Sequence, residues 1–536
     1  MKRSCIRRRA VALLGGLMFS LMAALGWQME HGGACRLPAA LLSAALLTLP
    51  VALLLAFLFE GRWKRLIPAR LRAFPRAQAP FQTWRAAALL MICYLPMFAV
   101  TFPGSFAYDA PFQLRQVFTG AYSTHHPLLH TLLLGGCVAL GRALGSINLG
   151  AALYTLVQMA LLSACFSLSC ASIARRCGKK SARRAMLCFA LYPLHMLMAV
   201  NATKDVLFGG FFTLTLALAF ELAEGARGEG LYAGMAVSGT LAMLLRNNAV
   251  YAAAVWLALL LLWICGKQRH VRRSMTALMG CTAAAVVLAL GANALLAAAT
   301  GAQKGDSREM LSWPIQQLAR ARLMDADKLT DEEKQVIDGL MPGEAWRQYD
   351  PTVSDPVKFA FDTQRLMEEP GRCLHVWLSV GRKCAGTYLD ATLALTYPFF
   401  YPYGEYRVSG YYLQMGISTE QTEQWCNFEW ITSQSLLPRV LASLSWRFGA
   451  KGAMQIPVLG CFFNMGAIVW VMLALILREA YFGRWRRFAV GLLPVLLWGT
   501  YLLGPVMAGR YIYPFACALP VLACRAADHE QGEERR

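Results

Sequence analysis

Asp109 stands alone: no other carboxylate occurs between Glu60 and Asp205. It closes the stretch Phe102-Pro103-Gly104-Ser105-Phe106-Ala107-Tyr108-Asp109, and Gln113, Gln116, Tyr122, Thr124, His125, His126, Pro127 and His130 follow it. An isolated acid just above an apolar surface has its pKa raised, which suits a general base acting on a hydroxyl. The same side chain could orient an acceptor group, hold a divalent cation, or cap the helix that starts near Pro111. His126 and His130 are four residues apart and share a helix face, a spacing that serves two metal ligands. No third ligand is fixed beside them, so interfacial hydrogen bonding or capping is the competing reading and no metal site is assigned.

A second group is Asn201-Ala202-Thr203-Lys204-Asp205. Lys204 could contact a phosphate while Asp205 caps the next helix or joins Asp109 around a cation; a plain capped turn with a solvated lysine is the alternative. Arg246-Asn247-Asn248 and Gly509-Arg510-Tyr511 supply two arginines. Guanidinium groups hold phosphate oxygens through paired charge-assisted hydrogen bonds, so converging arginines suit a lipid phosphate or diphosphate. Snorkelling to lipid headgroups is the competing reading for either one.

The elements that carry these residues are apolar. Of 536 residues 57% are hydrophobic and only 15% charged, with mean hydropathy +0.42, which excludes a water-soluble enzyme. Stretches of about 20 apolar residues recur, each long enough to cross a bilayer as a helix. Twelve spans are expected, near 11–29, 38–59, 86–102, 149–172, 185–201, 205–222, 230–246, 249–266, 274–298, 454–477, 488–503 and 508–524. The first resembles a signal peptide, but no small-x-small cleavage site follows before Trp27, so it is expected to be retained.

The net charge of +21, from 52 Lys and Arg against 31 Asp and Glu, falls in alternate loops. Basic clusters occupy residues 2–9, 62–85, 175–184, 267–273 and 478–487, whereas 301–452 holds 16 basic against 19 acidic residues. Positive charge is retained on the cytoplasmic side during insertion, so both termini are expected in the cytoplasm of a bacterial plasma membrane protein. The charge is thus an orientation signal and implies no nucleic-acid partner. Residues 127–144 would invert this alternation if they crossed, and are read as an outer-surface or re-entrant helix within a loop spanning 103–148.

Four regions follow: a two-span hairpin with its basic loop (1–85), a transmembrane core (86–300), an extracytoplasmic mixed domain (301–452) and three last spans with a tail (453–536). In the third, Thr330 ahead of Asp331-Glu332-Glu333 marks a helix start, and aromatic residues 397–403 favour the membrane interface. Most of the 16 cysteines fall in spans; among Cys373, Cys384 and Cys426 a bridge or free thiols are both open. The middle of every expected span lacks Asp, Glu, Lys and Arg, with His195 the one imidazole well inside. Ion-coupled transporters place charge at membrane depth, so the ionisable groups here point instead to a site at the outer membrane surface.

This order of elements, an outer loop with an Asp, a His-Pro surface helix, a descending span, a basic loop, an ascending span and a Lys-Asp turn, resembles the GT-C superfamily of membrane glycosyltransferases. It looks closest to a mostly Firmicutes polytopic family of unknown function assigned to that superfamily. Its pattern is similar to Tyr108-Asp109 with Gln113, His125-His126-Pro127 with His130, and Lys204-Asp205. The similarity extends to Ser312-Trp313-Pro314-Ile315-Gln316-Gln317-Leu318-Ala319-Arg320, Asp355-Pro356-Val357-Lys358, and Gly504-Pro505 with Arg510-Tyr511. The resemblance implies an α-helical polytopic bundle of GT-C type and an inverting transfer of sugar from a polyprenyl-phosphate donor to an envelope lipid, polymer or protein. Asp109 would be the catalytic base; Lys204, Arg246 and Arg510 would stabilise the departing phosphate, with Tyr108, Gln113, His125, His126, His130, Asp205 and Tyr511 around the substrate. Gln316, Gln317 and Arg320 would serve acceptor recognition. The first loop has no Asp-x-Asp or Glu-x-Asp, so a metal-independent mechanism is expected, with a divalent cation as the only candidate cofactor. A transporter or flippase for a lipid-linked glycan and a non-catalytic scaffold for envelope assembly are the rival classes.

Overall fold

A computed structural model describes residues 2–62, 81–106, 109–265, 268–305, 307–402, 430–449, 458 and 460–527. These residues form helices joined by turns, with isolated β-bridges and no strands among them. The first helices are α1 (Lys2–Gly32), α2 (Leu37–Phe59), α3 (Thr83–Thr101), α4 (Ala110–Thr119), α5 (Leu128–Ala143) and α6 (Ile147–Cys177). They are followed by α7 (Lys179–Leu191), α8 (Pro193–Ala199), α9 (Lys204–Ala223), α10 (Glu229–Leu245), α11 (Asn248–Ile264) and α12 (Arg269–Thr300).

Among the described residues six helices are long and apolar enough to cross a membrane: Ser4–Gly32, Leu37–Phe59, Thr83–Thr101, Ile147–Cys177, Lys204–Ala223 and Arg269–Thr300. Helices α5, α10 and α11 are apolar but shorter. The expected span 185–201 is not one helix. Pro193 disfavours helical geometry at Tyr192, whose ψ is 114°, and the chain divides there into α7 and α8. The long apolar helices indicate a membrane protein. Helices α2 and α12 are largely exposed along their apolar windows and turn Leu46, Leu53, Leu288 and Leu295 outward, as hydrocarbon-facing helices do.

Helix α9 is the axis of the bundle: 94% of its apolar window is buried, against α6, α10 and the last helix. The polar segment after α12 has its own core, in which Ile315, Ile337, Val357 and Val380 are buried. It is built from short helices α13 (Ser312–Met324), α14 (Asp331–Leu340), α15 (Asp355–Phe359), α16 (Thr363–Glu368), α17 (Pro370–Lys383) and α18 (Ala385–Thr396). Thr330 caps α14 as its sequence foretells, and the Glu333 side chain accepts from the Thr330 amide in return. Cys373 and Cys384 are buried free thiols; Cys426 lies outside the described residues.

The chain then forms α19 (Pro438–Gly449), α20 (Met465–Tyr481), α21 (Trp485–Leu502) and α22 (Tyr513–Ala527). The polar segment is tied to one end of this bundle. Trp313 Nε1 donates to the Leu502 carbonyl at 2.7 Å, the Ser354 amide to Pro505 at 2.8 Å, and Tyr397 OH to Glu30 at 2.7 Å. At the far end of α21, Arg487 and Arg525 pair with Glu224 at 2.8 and 2.9 Å.

Candidate functional site

Two backbone bridges position the loop that carries Asp109. The Ser105 amide donates to Val200 and the Ala202 amide to Ser105, both at 2.8 Å, joining the loop after α3 to the turn before α9. Further on, the Thr124 amide donates to Gln303 and the Gln303 amide to Tyr122, both at 2.9 Å, pinning the turn before α5 to the chain after α12. Gly104 permits the first bridge: its φ is +136°, and a Cβ there would lie 2.2 Å from Thr155 Oγ1. With the loop tied to Asn201, Asp109 is brought to the start of α9.

There it meets two cations from distant parts of the chain, and Asp205 beside them holds a third. Lys204 Nζ is 2.9 Å from Asp109 Oδ2, and Arg510 Nη2 is 3.2 Å from Oδ1. Arg510 also places Nε 3.6 Å from Asp205 Oδ2, and Arg246 pairs with Asp205 Oδ1. The Arg246 guanidinium lies against two rings stacked 5.7 Å apart, 4.4 Å from Tyr501 and 4.5 Å from Tyr511. Asp205 is fully buried, whereas the Asp109 and Lys204 side chains remain 16% and 15% exposed and form the mouth. Three cations and two carboxylates leave the cluster net positive.

Asp109 occupies the N-cap position of α4 but makes no capping hydrogen bond; its carboxylate is spent on Lys204 and Arg510. Nor is its pKa raised, as its isolation in sequence suggests. Burial acts to raise it, but Arg510, Lys204 and His126 together outweigh burial and hold it well below the usual carboxylate range. Asp205 does not cap α9 either. Thr203 is the N-cap, accepting from the Asp205 amide and donating to its Oδ2 at 3.2 Å.

The histidines separate into two roles. His126 Nδ1 is 3.5 Å from Lys204 Nζ. Burial lowers its pKa well below the ordinary value, with Lys204 among the groups adding to the effect. A neutral His126 therefore accepts from Lys204 at Nδ1 and carries its proton on Nε2. His130 faces elsewhere, with Nδ1 2.9 Å from the Gln113 side chain and Nε2 2.7 Å from Tyr154 OH. Tyr154 OH donates to Gln158, whose amide donates to the Ala199 and Asn201 carbonyls at 2.9 and 2.7 Å. His130 and Gln113 thus brace the turn behind Asp109, and His126 and His130 do not converge. Among the described residues no three His, Cys, Asp or Glu side chains group as a metal site.

His125 stacks edge-on with His126 at 4.6 Å and lies next to Gly305. Tyr511 contributes its ring to Arg246 and, at 5.2 Å, to Arg510. Tyr108 lies outside the described residues. Gln316, Gln317 and Arg320 are directed into the polar segment. Gln316 donates to Asp350 and Val353, Gln317 joins Thr392 to Trp377, and Arg320 reaches Tyr349, Asp390 and Gly33. Lys358 is buried between Glu309 and Asp355 at 2.8 and 2.7 Å, and holds that segment together.

Tyr501, Tyr154 and Gln158 are not among the sequence candidates, and Thr203 is there only as part of the Lys204-Asp205 turn. Tyr154 and Gln158 do carry a signal, a polar pair four residues apart on the face of an apolar helix.

A family model described as a family of unknown function, DUF6020, matches residues 118–536. The chain belongs to this family. Lys204, Asp205, Arg246 and Arg510 lie inside the DUF6020 match, while Asp109 and helices α1 to α3 precede it. No curated protein and no solved structure matches the chain.

Proposed function

We propose that the chain is a membrane glycosyltransferase of GT-C type, moving a sugar from a polyprenyl-phosphate donor to an envelope lipid, polymer or protein. In this reading about twelve spans cross a bacterial plasma membrane, both termini are cytoplasmic, and the Asp109 cluster opens at the extracytoplasmic surface. The observation that carries it is the pairing of Asp109 with both Lys204 and Arg510 at the end of an apolar bundle.

The donor phosphate competes for the same cations. Its oxygens take Lys204 and Arg510, with Arg246 held behind them by its two rings, and Asp109 loses the charges that depress its pKa. The freed carboxylate then accepts the proton of the acceptor hydroxyl as that oxygen bonds to the anomeric carbon. The sugar–phosphate C–O bond breaks, and its electron pair leaves on the lipid phosphate, stabilised by the cations as charge develops. A divalent cation is not needed, since the positive charge is already built from side chains.

The test is turnover of a polyprenyl-phosphate sugar in membranes containing wild-type chain or Asp109→Asn at matched levels. Release of lipid phosphate that depends on Asp109 supports the reading; undiminished release by the variant removes Asp109 as base. The mutual ion pairing also suits a static clamp in an assembly scaffold, for which no wild-type release occurs. A flippase moves the intact donor across the bilayer without release.

A further inference from the structure

The end of the bundle away from Asp109 carries a cleft of about 790 Å³ between α1, α2 and the end of α20. Helix α21 runs from Trp485, just after α20, to Leu502 beside the polar segment; its 18 residues separate the two ends by about 27 Å. The mouth of the cleft is basic and its walls are alkyl. Arg8, Arg9, Tyr481 and Glu60 line it towards the helix ends, and Leu13, Leu49 and Leu53 line it further along α1 and α2.

No carboxylate pairs with Arg8 or Arg9 among the described residues. The acid at the rim is already engaged, since Glu60 pairs with Arg62 at 2.6 Å and accepts from Tyr481 OH at 2.9 Å. Arg8 is held over the Tyr481 and Phe482 rings at 5.6 and 5.2 Å, and its buried Nε has no hydrogen-bond partner. A guanidinium held by two rings and paired with no carboxylate, beside a second one on the same turn of α1, calls for an anionic acceptor. Leu13, Leu49 and Leu53 are exposed below it, which fits acyl chains rather than a soluble anion.

We propose that this cleft binds an anionic phospholipid, with the phosphate at Arg8 and Arg9 and the acyl chains along α1 and α2. Its arginines and leucines lie on the hairpin that precedes the DUF6020 match, with Tyr481 and Phe482 supplied from within it, and the site holds whatever reaction the distant cluster performs.

The experiment places the full-length chain in phosphatidylcholine bilayers containing a trace of spin-labelled phosphatidylglycerol or spin-labelled phosphatidylcholine. The motionally restricted fraction of each label is then measured. The expected result is a restricted fraction severalfold larger for phosphatidylglycerol. Arg8→Gln with Arg9→Gln reduces it to the phosphatidylcholine level, and Leu53→Trp, which fills the cleft without changing charge, reduces it too. Equal restriction of the two labels by wild-type chain overturns the proposal, as does a preference that survives both variants. Displacement of the label by millimolar glycerol 3-phosphate also overturns it, because the site would then select a soluble phosphate. A double-arginine variant that fails to fold leaves the decision to the Leu53→Trp arm.

Discussion

Arg510 reaches Asp109 across 401 positions of sequence, with Nη2 3.2 Å from Oδ1. The same guanidinium faces Asp205 through Nε, so one side chain links the mouth of the cluster to its buried floor. Removing it leaves Asp109 to Lys204 and Asp205 to Arg246, with no side chain among the described residues joining the two pairs.

Replacing Asp109 with Asn should leave the chain folded, because the side chain is partly exposed and the amide oxygen still accepts from one of Lys204 and Arg510, while its NH2 faces the other cation. If Asp109 is the base, turnover of the lipid-linked sugar should fall by about 100-fold or more, the usual range for such a group. Turnover in membranes, normalised to the amount of chain, checks this.

Arg246→Met should be more damaging to stability than Asp109→Asn. It leaves Asp205, which is fully buried, without Arg246 and removes the cation that lies against Tyr501 and Tyr511. Breaking a buried pair from one side costs about 3–5 kcal/mol. Adding Asp205→Asn should restore much of the loss, and melting midpoints of the single and double variants in detergent compare the two.

The stability of the polar segment should depend on Glu333 in acid. Burial acts to raise its pKa, but Lys383, which donates to both oxygens at 2.8 Å, with Ser379 and the Thr330 amide, brings it down to about 2. Because the folded value lies below the ordinary 4.5, this contribution is fully present above about pH 4.5. It is lost as pH falls towards about 2. Glu333→Gln should flatten that part of a plot of melting midpoint against pH while lowering the neutral value.

Helix α5 is docked on α6 through two glycines. A Cβ on Gly141 would lie 2.1 Å from the Gly150 amide nitrogen, backbone that cannot swing away. Gly141→Ala should therefore destabilise the chain by about 1–3 kcal/mol or more, and shift His130 relative to Tyr154. Gly136→Ala, where nothing lies within 4 Å of the added atom, is the control. Melting midpoints of the two variants test the contrast.

Sequence reasoning reached the apolar helices because their signal is long and redundant; one misplaced residue changes little. It also reached Asp109, Lys204, Asp205, Arg246 and Arg510, because in a chain with 15% charged residues each isolated charge near a helix end is conspicuous. The resemblance implies that these five meet; that they pair directly with one another was not legible, since it depends on the Ser105–Asn201 bridge and on the turn before α22. Gln316 and Gln317 show the opposite limit. An amide looks the same in sequence whether it awaits a ligand or, as here, satisfies the backbone and a tryptophan. The pKa of Asp109 was misjudged for a related reason: isolation along the chain says nothing about cations that arrive from nearly 100 to 400 residues away.

Helix α9 gives the cluster a mechanical property. It begins with Lys204-Asp205 and runs through the most enclosed part of the bundle, so those two charges ride on a rod gripped along nearly its whole length. The partners Asp109 and Arg510 sit on short connections between helices. The rod supplies a fixed datum, and the geometry of the cluster is set by where the connections that carry Asp109 and Arg510 meet it.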